Sequence, residues 1–323
     1  MLLVTGGLGY IGSHFVIVAL QSGYEVLVID NLSNSHAHTQ KHIEAIAQTD
    51  FQFIEGDIRN KSLLERIFEQ YQIETVVHFA GLKAVAESVV NPMRYYDNNV
   101  YGSLVLLEVM QKHGVHNIIF SSSATVYGEP QYLPYDEQHP TNPINPYGHT
   151  KLHVENILQD ICQADNDFAA VTLRYFNPIG AHPSGLIGEN PKDIPNNLMP
   201  YIVKVAQGEL PYLQIFGDDY DTRDGTGERD YIYVMDLVQG HLAALSHLDK
   251  KGFHIFNLGT GTGTTVLELV AAFEAANSVT IHQRVMPRRE GDLSKFWANP
   301  SLAKKALNWQ AVTPLHVGCL LNS

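Results

Sequence analysis

The sequence predicts an α/β protein with a doubly wound parallel sheet and a smaller second α/β domain. Three observations point to this fold. Short, almost continuously apolar segments alternate with longer segments of helical apolar spacing, a glycine-rich turn follows the first segment, and the second half is rich in Pro, Gly and Asn. Parallel strands covered by helices on both faces are typically continuous apolar runs. The sheet is therefore predicted in the first half of the chain.

Helices and strands can be assigned from the spacing of apolar residues. Helical spacing at residues 62–71 and 102–114 predicts two helices between strands, and Gly114 closes the second. Later strand-like runs at residues 231–236 and 253–259 could return to the main sheet. The predicted strands of the first half are residues 2–5, 25–30, 51–57, 75–81 and 116–123.

Long loops rich in Pro, Gly and Asn set the chain after residue 176 apart from the first half. Loops of this length in compact domains often bind ligands. We therefore predict that residues 1–176 and 231–257 form the sheet domain, and that residues 177–230 and 258–323 form a ligand-binding domain.

Composition excludes several classes of protein. The 323 residues carry a net charge of -13 and no basic block, which argues against a nucleic-acid partner. The two cysteines, Cys162 and Cys319, form no CxxC metal spacing and no disulfide framework. The first forty residues contain no Lys or Arg, and no apolar run is long enough for a membrane span. We expect a cytoplasmic protein.

The opening "VTGGLGYIG" predicts a dinucleotide site. Gly7, Gly9 and Gly12 fit GxGxxG between a strand and a helix, and Gly6, Gly9 and Gly12 also fit GxxGxxG. Glycines here allow a tight turn and let a diphosphate approach the helix N-terminus. Asp30 ends the second strand, where a carboxylate can accept both ribose hydroxyls of adenosine and would repel a 2'-phosphate. This favours NAD over NADP.

The stretch "NPYGHTK" places Tyr147 and Lys151 four residues apart at a predicted helix start, so both share one face. A phenol needs its pKa lowered by about three units to act as a base near neutrality. One positive charge about 5 Å away supplies on the order of 3 kcal/mol. This suffices only with oxidised nicotinamide beside it. We expect His149 and Thr150 to lie on the far face of the helix.

Longer blocks support a family resemblance. "TGGLGYIG", "SSSATVYG" and "YGHTK" are similar to the extended short-chain dehydrogenase/reductase superfamily, whose first domain is of the Rossmann type and binds NAD. "FAGLKAVAESV", "YYDNNVYG", "LRYFNPIGAHPSG", "IPNNLMPYI", "GTGERDYIYVMD" and "RREGDL" resemble the UDP-glucose 4-epimerase family. The blocks run from residue 2 to about residue 309, so the resemblance covers nearly the whole chain.

The resemblance implies a reaction in galactose metabolism. Tyr147 beside Lys151 would take the proton of the sugar 4-hydroxyl while NAD takes hydride from C4, and Ser123 would relay the proton. The 4-keto sugar would turn about its diphosphate linkage and receive the hydride on its other face. UDP-glucose and UDP-galactose would interconvert, with NAD retained. The second predicted domain would bind the UDP-sugar.

The same resemblance implies two sets of ligand contacts. The NAD contacts would be Gly6, Gly7, Gly9, Tyr10, Ile11, Gly12, Asp30, Asn31, Leu32, Asn34, Ser35, Asp57, Ile58, Phe79, Ala80, Gly81, Lys83, Asn98, Ser123, Tyr147, Lys151 and Phe176. The UDP-sugar contacts would be Lys83, Ser123, Tyr147, Asn177, Asn197, Leu198, Gln214, Phe216, Arg229, Tyr231, Val266, Arg289, Asp292 and Phe296.

Competing functions lack part of their machinery. Related 4,6-dehydratases usually have an acidic pair after the strand-five Ser or Thr, and related decarboxylases have a Glu there, whereas this chain has Ala124 and Thr125. An epimerase of a different UDP-hexose remains an alternative. A non-catalytic NAD-binding regulator would be expected to lose Ser123, Tyr147 or Lys151, and all three are present.

Three further expectations concern partners and specificity. His149 and His153 form a helical HxxxH pair without a nearby carboxylate, so we predict no metal site. The family's helices corresponding to residues 94–113 and 147–162 pair across a homodimer interface. Phe296 resembles the bulky aromatic of family members that disfavour N-acetylated sugars. The chain also ends with a shorter C-terminal segment than is usual in the family, which leaves its packing open.

Overall fold

The fold of the computed structural model follows the alternation of strands and helices in the sequence. The structure describes residues 1–192, 197–289 and 291–321. Its strands are β1 (Leu2–Thr5), β2 (Val26–Asp30), β3 (Gln52–Glu55), β4 (Thr75–His78), β5 (Asn117–Ser123), β6 (Ala169–Tyr175), β7 (Asn177–Ile179), β8 (Leu213–Phe216), β9 (Glu228–Arg229), β10 (Tyr231–Tyr233), β11 (Gly252–Leu258), β12 (Thr264–Thr265), β13 (Gln283–Met286) and β14 (Lys295–Phe296).

Helices connect most of these strands. They are α1 (Tyr10–Gln21), α2 (Thr39–Ala47), α3 (Lys61–Gln70), α4 (Val85–Val90), α5 (Pro92–Tyr95), α6 (Gly102–Lys112), α7 (Pro146–Ala164), α8 (Leu198–Ala206), α9 (Val234–Leu245), α10 (Val266–Asn277), α11 (Ser301–Leu307) and α12 (Leu315–Gly318). A π-helical segment, Tyr96–Tyr101, joins α5 to α6, and short 3₁₀ turns follow β5 (Ala124–Val126) and α9 (Ser246–Asp249).

Seven parallel strands form the main sheet, in the order β3-β2-β1-β4-β5-β6-β11. The central strand β1 pairs with β2 and β4, so Val4 lies between Val28 and Val77. The order reverses at β1, which makes the sheet doubly wound. The predicted fold class is confirmed, as is the return of the run at residues 253–259 to this sheet as β11.

The predicted strand at residues 231–236 was wrong in two respects. It ends at Tyr233, where α9 begins, and as β10 it pairs with β7 in a separate two-stranded sheet. The apolar run continues across the boundary because Tyr231, Ile232 and Val234 are all buried. Periodicity alone does not separate a buried strand from the first turn of a buried helix.

Helices cover both faces of the main sheet and create two apolar cores. On one face α1 contacts α9, and their core includes Phe15, Val16 and Leu237. On the other face α3, α6 and α7 cover a core that includes Leu64, Leu106 and Leu158. Alternate residues of β1 enter the two cores, as a strand between two helical layers requires. The carboxyl edge of the sheet is thereby left for ligands.

A third core lies within the chain after residue 176. Helices α8, α10 and α12 enclose it with β8 and β10, and Ile202, Leu269 and Phe273 are fully buried there. The predicted division of the chain into two domains is compatible with this separate core and stays a prediction.

The short C-terminal segment is fastened to α9. The buried Asp236 carboxylate accepts hydrogen bonds from the Val312 and Thr313 amides, at 3.0 and 2.8 Å, and from the Thr313 hydroxyl. Trp309 Nε1 donates to the Asp236 carbonyl at 2.9 Å. The C-terminal packing that the sequence left open thus includes this carboxylate, and Asn277 holds the segment further on through the Cys319 carbonyl and the Leu321 amide. Within the described residues, no helix is long and apolar enough to cross a membrane.

We expect Asp236→Asn to lower the free energy of unfolding by about 2 kcal/mol, because the amide NH₂ would face backbone donors that now bind a charged oxygen. Urea unfolding measures this. Glu65→Gln is the control, since it removes a surface ion pair with Lys112 that contributes little. Equal unfolding midpoints for the two variants would contradict the anchoring role of Asp236.

Candidate active site

The turn between β1 and α1 requires glycine at two positions, Gly6 and Gly12. Gly6 has φ +68°, and a Cβ there would lie 2.7 Å from the Ala80 amide nitrogen. A Cβ on Gly12 would lie 2.3 Å from the Gly6 carbonyl oxygen. Gly9 stands at the N-cap of α1, so the first amides of this helix point into the turn. The turn is a cradle for an anionic diphosphate.

Asp30 lies beside this cradle at the end of β2. One carboxylate oxygen accepts a hydrogen bond from the Leu8 amide at 3.1 Å, and the other accepts from the Leu32 amide and the Ser35 hydroxyl at 2.9 and 2.8 Å. These bonds fix the carboxylate next to the glycine turn. A fixed carboxylate here fits the ribose diol of NAD, so the residues present suit the predicted cofactor.

The ends of β2 and β3 are linked by side chains of the predicted cofactor set. Asn31 donates to the Asp57 carboxylate at 2.9 Å. The Arg59 guanidinium holds the pKa of Asp57 well below its usual range. The chain that follows β7 reaches this edge as well, because Lys192 donates its amide to the Asn34 side chain and its ammonium to the Leu32 carbonyl, at 2.9 and 2.8 Å.

Tyr147 and Lys151 occupy the first turns of α7. Asn145 caps this helix by accepting the Gly148 amide hydrogen bond at 2.8 Å, and Pro146 begins it. Both side chains are buried, with Tyr147 8% and Lys151 5% exposed. The Lys151 ammonium donates to the Ser121 carbonyl at 2.7 Å and lies 5.9 Å from the Tyr147 ring centroid. The structure therefore brings the phenol and the cation to one face.

Burial dominates the electrostatics of this pair. It raises the pKa of Tyr147 to about 12, against a lowering by the Ser123 hydroxyl. It lowers the pKa of Lys151 to about 8, against a rise caused by the Glu155 carboxylate. At neutral pH Lys151 is mostly charged and the phenol is neutral. A further positive charge beside the phenol is needed before it can act as a base, as the sequence predicts.

Ser123 ends β5 next to Tyr147. Its oxygen accepts hydrogen bonds from the Thr125 amide and hydroxyl, at 3.2 and 3.0 Å. Thr125 donates both of these hydrogen bonds, so the hydroxyl proton of Ser123 is available to the Tyr147 phenol. The arrangement can move a proton between a reacting oxygen and Tyr147.

A second group of predicted residues gathers around Asp292. This carboxylate accepts from Arg289 Nε at 2.8 Å and lies 4.0 Å from Arg229 Nη2. The Arg289 guanidinium also lies 4.7 Å from the Phe216 ring centroid. Two guanidinium groups and an aromatic ring gathered in this way suit a nucleoside diphosphate.

Lys83 and Asn197 both bind Glu189, a residue that the sequence patterns did not identify as part of the site. The Glu189 carboxylate accepts from the Lys83 ammonium and from the Asn197 amide, both at 2.7 Å.

Phe296 is buried against Phe176 and Tyr135, with ring centroids 5.1 and 4.9 Å away. These rings form an aromatic wall at the carboxyl edge of the sheet.

The remaining predicted contacts are less directly placed. Leu198 and Val266 pack against the third core, Tyr231 is buried in it, and Gln214 is exposed on β8. Asn98 lies partly buried in the π-helical segment. Their roles stay predictions.

The expectation that Thr150 lies on the far face of α7 was wrong. Thr150 is fully buried, donates to the Tyr147 carbonyl at 2.7 Å and accepts from Asn99 Nδ2 at 3.1 Å. The reason is that the π-helical segment packs on the side of α7 next to the Tyr147 face. His149 is half-buried. In the part of the chain that the structure describes, no group of three or more His, Cys, Asp or Glu could hold a metal ion.

Sequence reasoning also missed Glu155 and Arg174, which form a buried ion pair next to Lys151. A signal was present, since Glu155 stands four residues after Lys151 on the same predicted helix face. Arg174 carried no such signal, because its partner is remote in sequence.

The fold and this site together define an enzyme of the class that uses a bound dinucleotide. The model of the NAD dependent epimerase/dehydratase family matches residues 2–259, and the chain belongs to this family. It is similar to the UDP-glucose 4-epimerase of Neisseria meningitidis serogroup B, with 55% identity over 96% of this chain and 92% of the relative. The human UDP-glucose 4-epimerase is 52% identical over 98% and 93%.

Solved structures agree with these relatives. The UDP-glucose 4-epimerase of Bifidobacterium longum, in complex with NAD+ and UDP, has a TM-score of 0.96 and 51% identity, covering 99% of this chain and 97% of that one. The UDP-Glc/GlcNAc 4-epimerase of Campylobacter jejuni has a TM-score of 0.87 and 37% identity, covering 99% and 97%. The family resemblance predicted from the sequence blocks is confirmed.

We expect Gly12→Ala to reduce the NAD retained on purification by about tenfold or more, because its Cβ would overlap the Gly6 carbonyl oxygen and overpacking costs about 1–3 kcal/mol. Nucleotide released by denaturation measures the content. Ser22→Ala, at the exposed far end of α1, is the control. Full NAD content in a folded Gly12→Ala variant would refute the cradle.

Proposed function

We propose that this protein interconverts UDP-glucose and UDP-galactose through transient oxidation at C4 of the hexose. The observation that carries the proposal is the buried Tyr147–Lys151 pair beside Ser123, at the sheet edge that also holds the glycine cradle. The Neisseria meningitidis and human UDP-glucose 4-epimerases, which align with this chain over most of their length, support the same reaction.

The cofactor of this reaction is NAD. The glycine turn and the amides of α1 would hold its diphosphate, and Asp30 its adenosine ribose. When bound, NAD accepts hydride from C4 of the sugar and returns it. Gly81 lies close to the Lys151 ammonium, since a Cβ there would lie 3.7 Å from Nζ and 3.3 Å from Asn99 Oδ1. An oxidised nicotinamide ring bound beside Tyr147 would add its positive charge to that of Lys151.

Tyr147 takes the proton of the 4-hydroxyl, and Ser123 relays it. With Lys151 and the oxidised ring both positive, the phenolate is stabilised against the burial that otherwise raises its pKa to about 12. As hydride returns to the C4 ketone, the phenol donates its proton to the ketone oxygen and the hydroxyl is restored. Tyr147 is thus the base in the first stage and the acid in the second, and no net oxidation occurs because the hydride taken from C4 is returned to C4.

Arg229 and Arg289 hold the diphosphate, and Phe216 packs on the uracil. Binding through UDP leaves the hexose free to turn about its linkage, so that either face of C4 meets the cofactor. Asp292, which bridges the two guanidinium groups here, would shift to a ribose hydroxyl when the diphosphate takes its place.

Four finer assignments belong to the same proposal. The protein acts in the cytoplasm as a homodimer in galactose metabolism. Exposed apolar side chains on the elements from α4 to α6 support the dimer, including Val90, Met93 and Leu104, at 76, 78 and 44% exposure. N-acetylated sugars are disfavoured because Phe296 is held in the sugar pocket by Tyr135 and Phe176.

The test is conversion of UDP-galactose to UDP-glucose by the purified protein without added NAD. We expect turnover, and about 1,000-fold less in Tyr147→Phe with NAD still bound, because the variant lacks the transferable proton. Tyr24→Phe, exposed at the opposite edge, is the control. A 4-keto-6-deoxy product would indicate a dehydratase. Bound NAD without turnover would indicate a regulator.

We expect Phe296→Ser to raise kcat/KM for UDP-N-acetylgalactosamine by about tenfold or more, because the pocket gains the volume of a ring. Phe296→Tyr keeps the bulk and is the matched control. The ratio of kcat/KM for acetylated and plain sugars is the measurement. Comparable turnover of both by the unmutated protein would contradict the steric role of Phe296.

A further inference from the structure

Helix α7 carries a third buried functional group, one turn beyond Lys151, that the proposed reaction does not use. Glu155 is 2% and Arg174 is 3% exposed. They form an ion pair with Arg174 Nη2 at 2.5 Å from Glu155 Oε2 and Arg174 Nε at 3.0 Å from Oε1. Because Glu155 follows Lys151 by four residues, both face the sheet on the same side of the helix.

The Glu155 carboxylate joins α7 to two strands at once. It accepts a third hydrogen bond from the Ser122 hydroxyl, at 2.5 Å. Ser122 on β5 and Arg174 on β6 are direct partners in the sheet register. The Arg174 guanidinium is covered by the Tyr127 ring, 4.8 Å from the centroid. The pair is therefore rigid and excluded from water.

Stability alone gives little reason for charges at this place. Moving an ion pair out of water costs several kcal/mol per ion, and apolar residues of similar volume often stabilise a fold equally well. Apolar residues could hold α7 against β5 and β6. They could not place a negative charge beside Lys151.

We propose that the Glu155–Arg174 pair positions the reacting face of α7 and directs its negative end at the Lys151 ammonium, keeping that cation charged during the reaction. The proposal rests on the proposed function of Tyr147 and Lys151. Glu155 and Arg174 are positioning residues, since they act on the reacting groups through Lys151, helix α7 and the end of β5.

The other groups facing Lys151 do not supply a compensating negative charge. From β4, His78 is kept neutral because burial lowers its pKa to about 3. From β6, burial raises the pKa of Tyr175, and from α7 it raises that of Tyr147. From β5, the Ser121 carbonyl accepts a hydrogen bond from the ammonium. Glu155 is the charged group that raises the pKa of Lys151, against the lowering caused by burial.

The direction of the effect on pH dependence follows from these charges. Burial lowers the pKa of Lys151 to about 8 and Glu155 raises it. Without Glu155, Lys151 loses its proton at lower pH, and the phenol loses the cation that makes it a base. The alkaline fall in kcat must then move to lower pH. Arg174, left unpaired, would push it in the same direction.

The experiment compares kcat against pH, thermal unfolding and NAD content in three variants. In Glu155→Gln we expect the alkaline limb to move down by about one pH unit, with reduced thermal stability. In the double variant Glu155→Gln, Arg174→Met, which leaves no unpaired charge, stability should recover while the limb stays shifted in the same direction, by a smaller amount. NAD content should be unchanged.

Asp236→Asn is the matched control, since it removes another buried carboxylate that accepts backbone and hydroxyl hydrogen bonds, on α9 at the opposite face of the sheet from α7. It should lower stability and leave the limb in place. A double variant with the limb of the unmutated protein would overturn the positioning role and leave the proposed function intact. No interconversion by the unmutated protein would overturn both.

Discussion

The parallel direction of all seven strands is the constraint on which the site depends. Because every strand of the main sheet runs the same way, each strand-to-helix junction emerges at one edge. The glycine turn after β1, Asp30 after β2, Gly81 after β4 and Ser123 at the end of β5 share that edge for this reason alone. Helix α7 returns from it, so Tyr147 in its first turn lies beside Ser123. Chemistry that is scattered over about 150 residues of sequence is assembled by strand direction.

Local patterns predicted most of the sheet and the centre of the site. The apolar runs located β1 to β5 and β11, and glycine spacing with Asp30 located the dinucleotide edge. What failed depends on packing between distant segments. The boundary at Tyr233 and Val234 is hidden because both sides are buried, and Thr150 is buried because the π-helical segment lies against α7. Arg174 has meaning only through Glu155, which the sheet register brings to it. Most of the predicted ligand contacts came from the family resemblance, and few came from the spacing of residues.

Cations are used sparingly in this acidic protein, and each one in the site has a carboxylate beside it. Arg229 and Arg289 face Asp292, Lys83 faces Glu189, and Lys151 lies near Glu155. An anionic ligand must therefore compete with an internal carboxylate. In the proposed function, selection for UDP would follow from where the guanidinium groups stand, and the overall negative charge would contribute nothing favourable to it.

The position of Tyr147 at the very start of α7 has a consequence for a different kind of charge. Aligned peptide dipoles give a helix N-terminus roughly half a positive unit charge, worth about 0.3–1 kcal/mol to a nearby anion. The nineteen residues of α7 supply this field, and Tyr147 is the second of them. Unlike the ammonium of Lys151, this charge has no proton to lose. In the proposed reaction, the backbone of α7 would thus give the phenolate a small, permanent stabilisation that solution pH cannot remove.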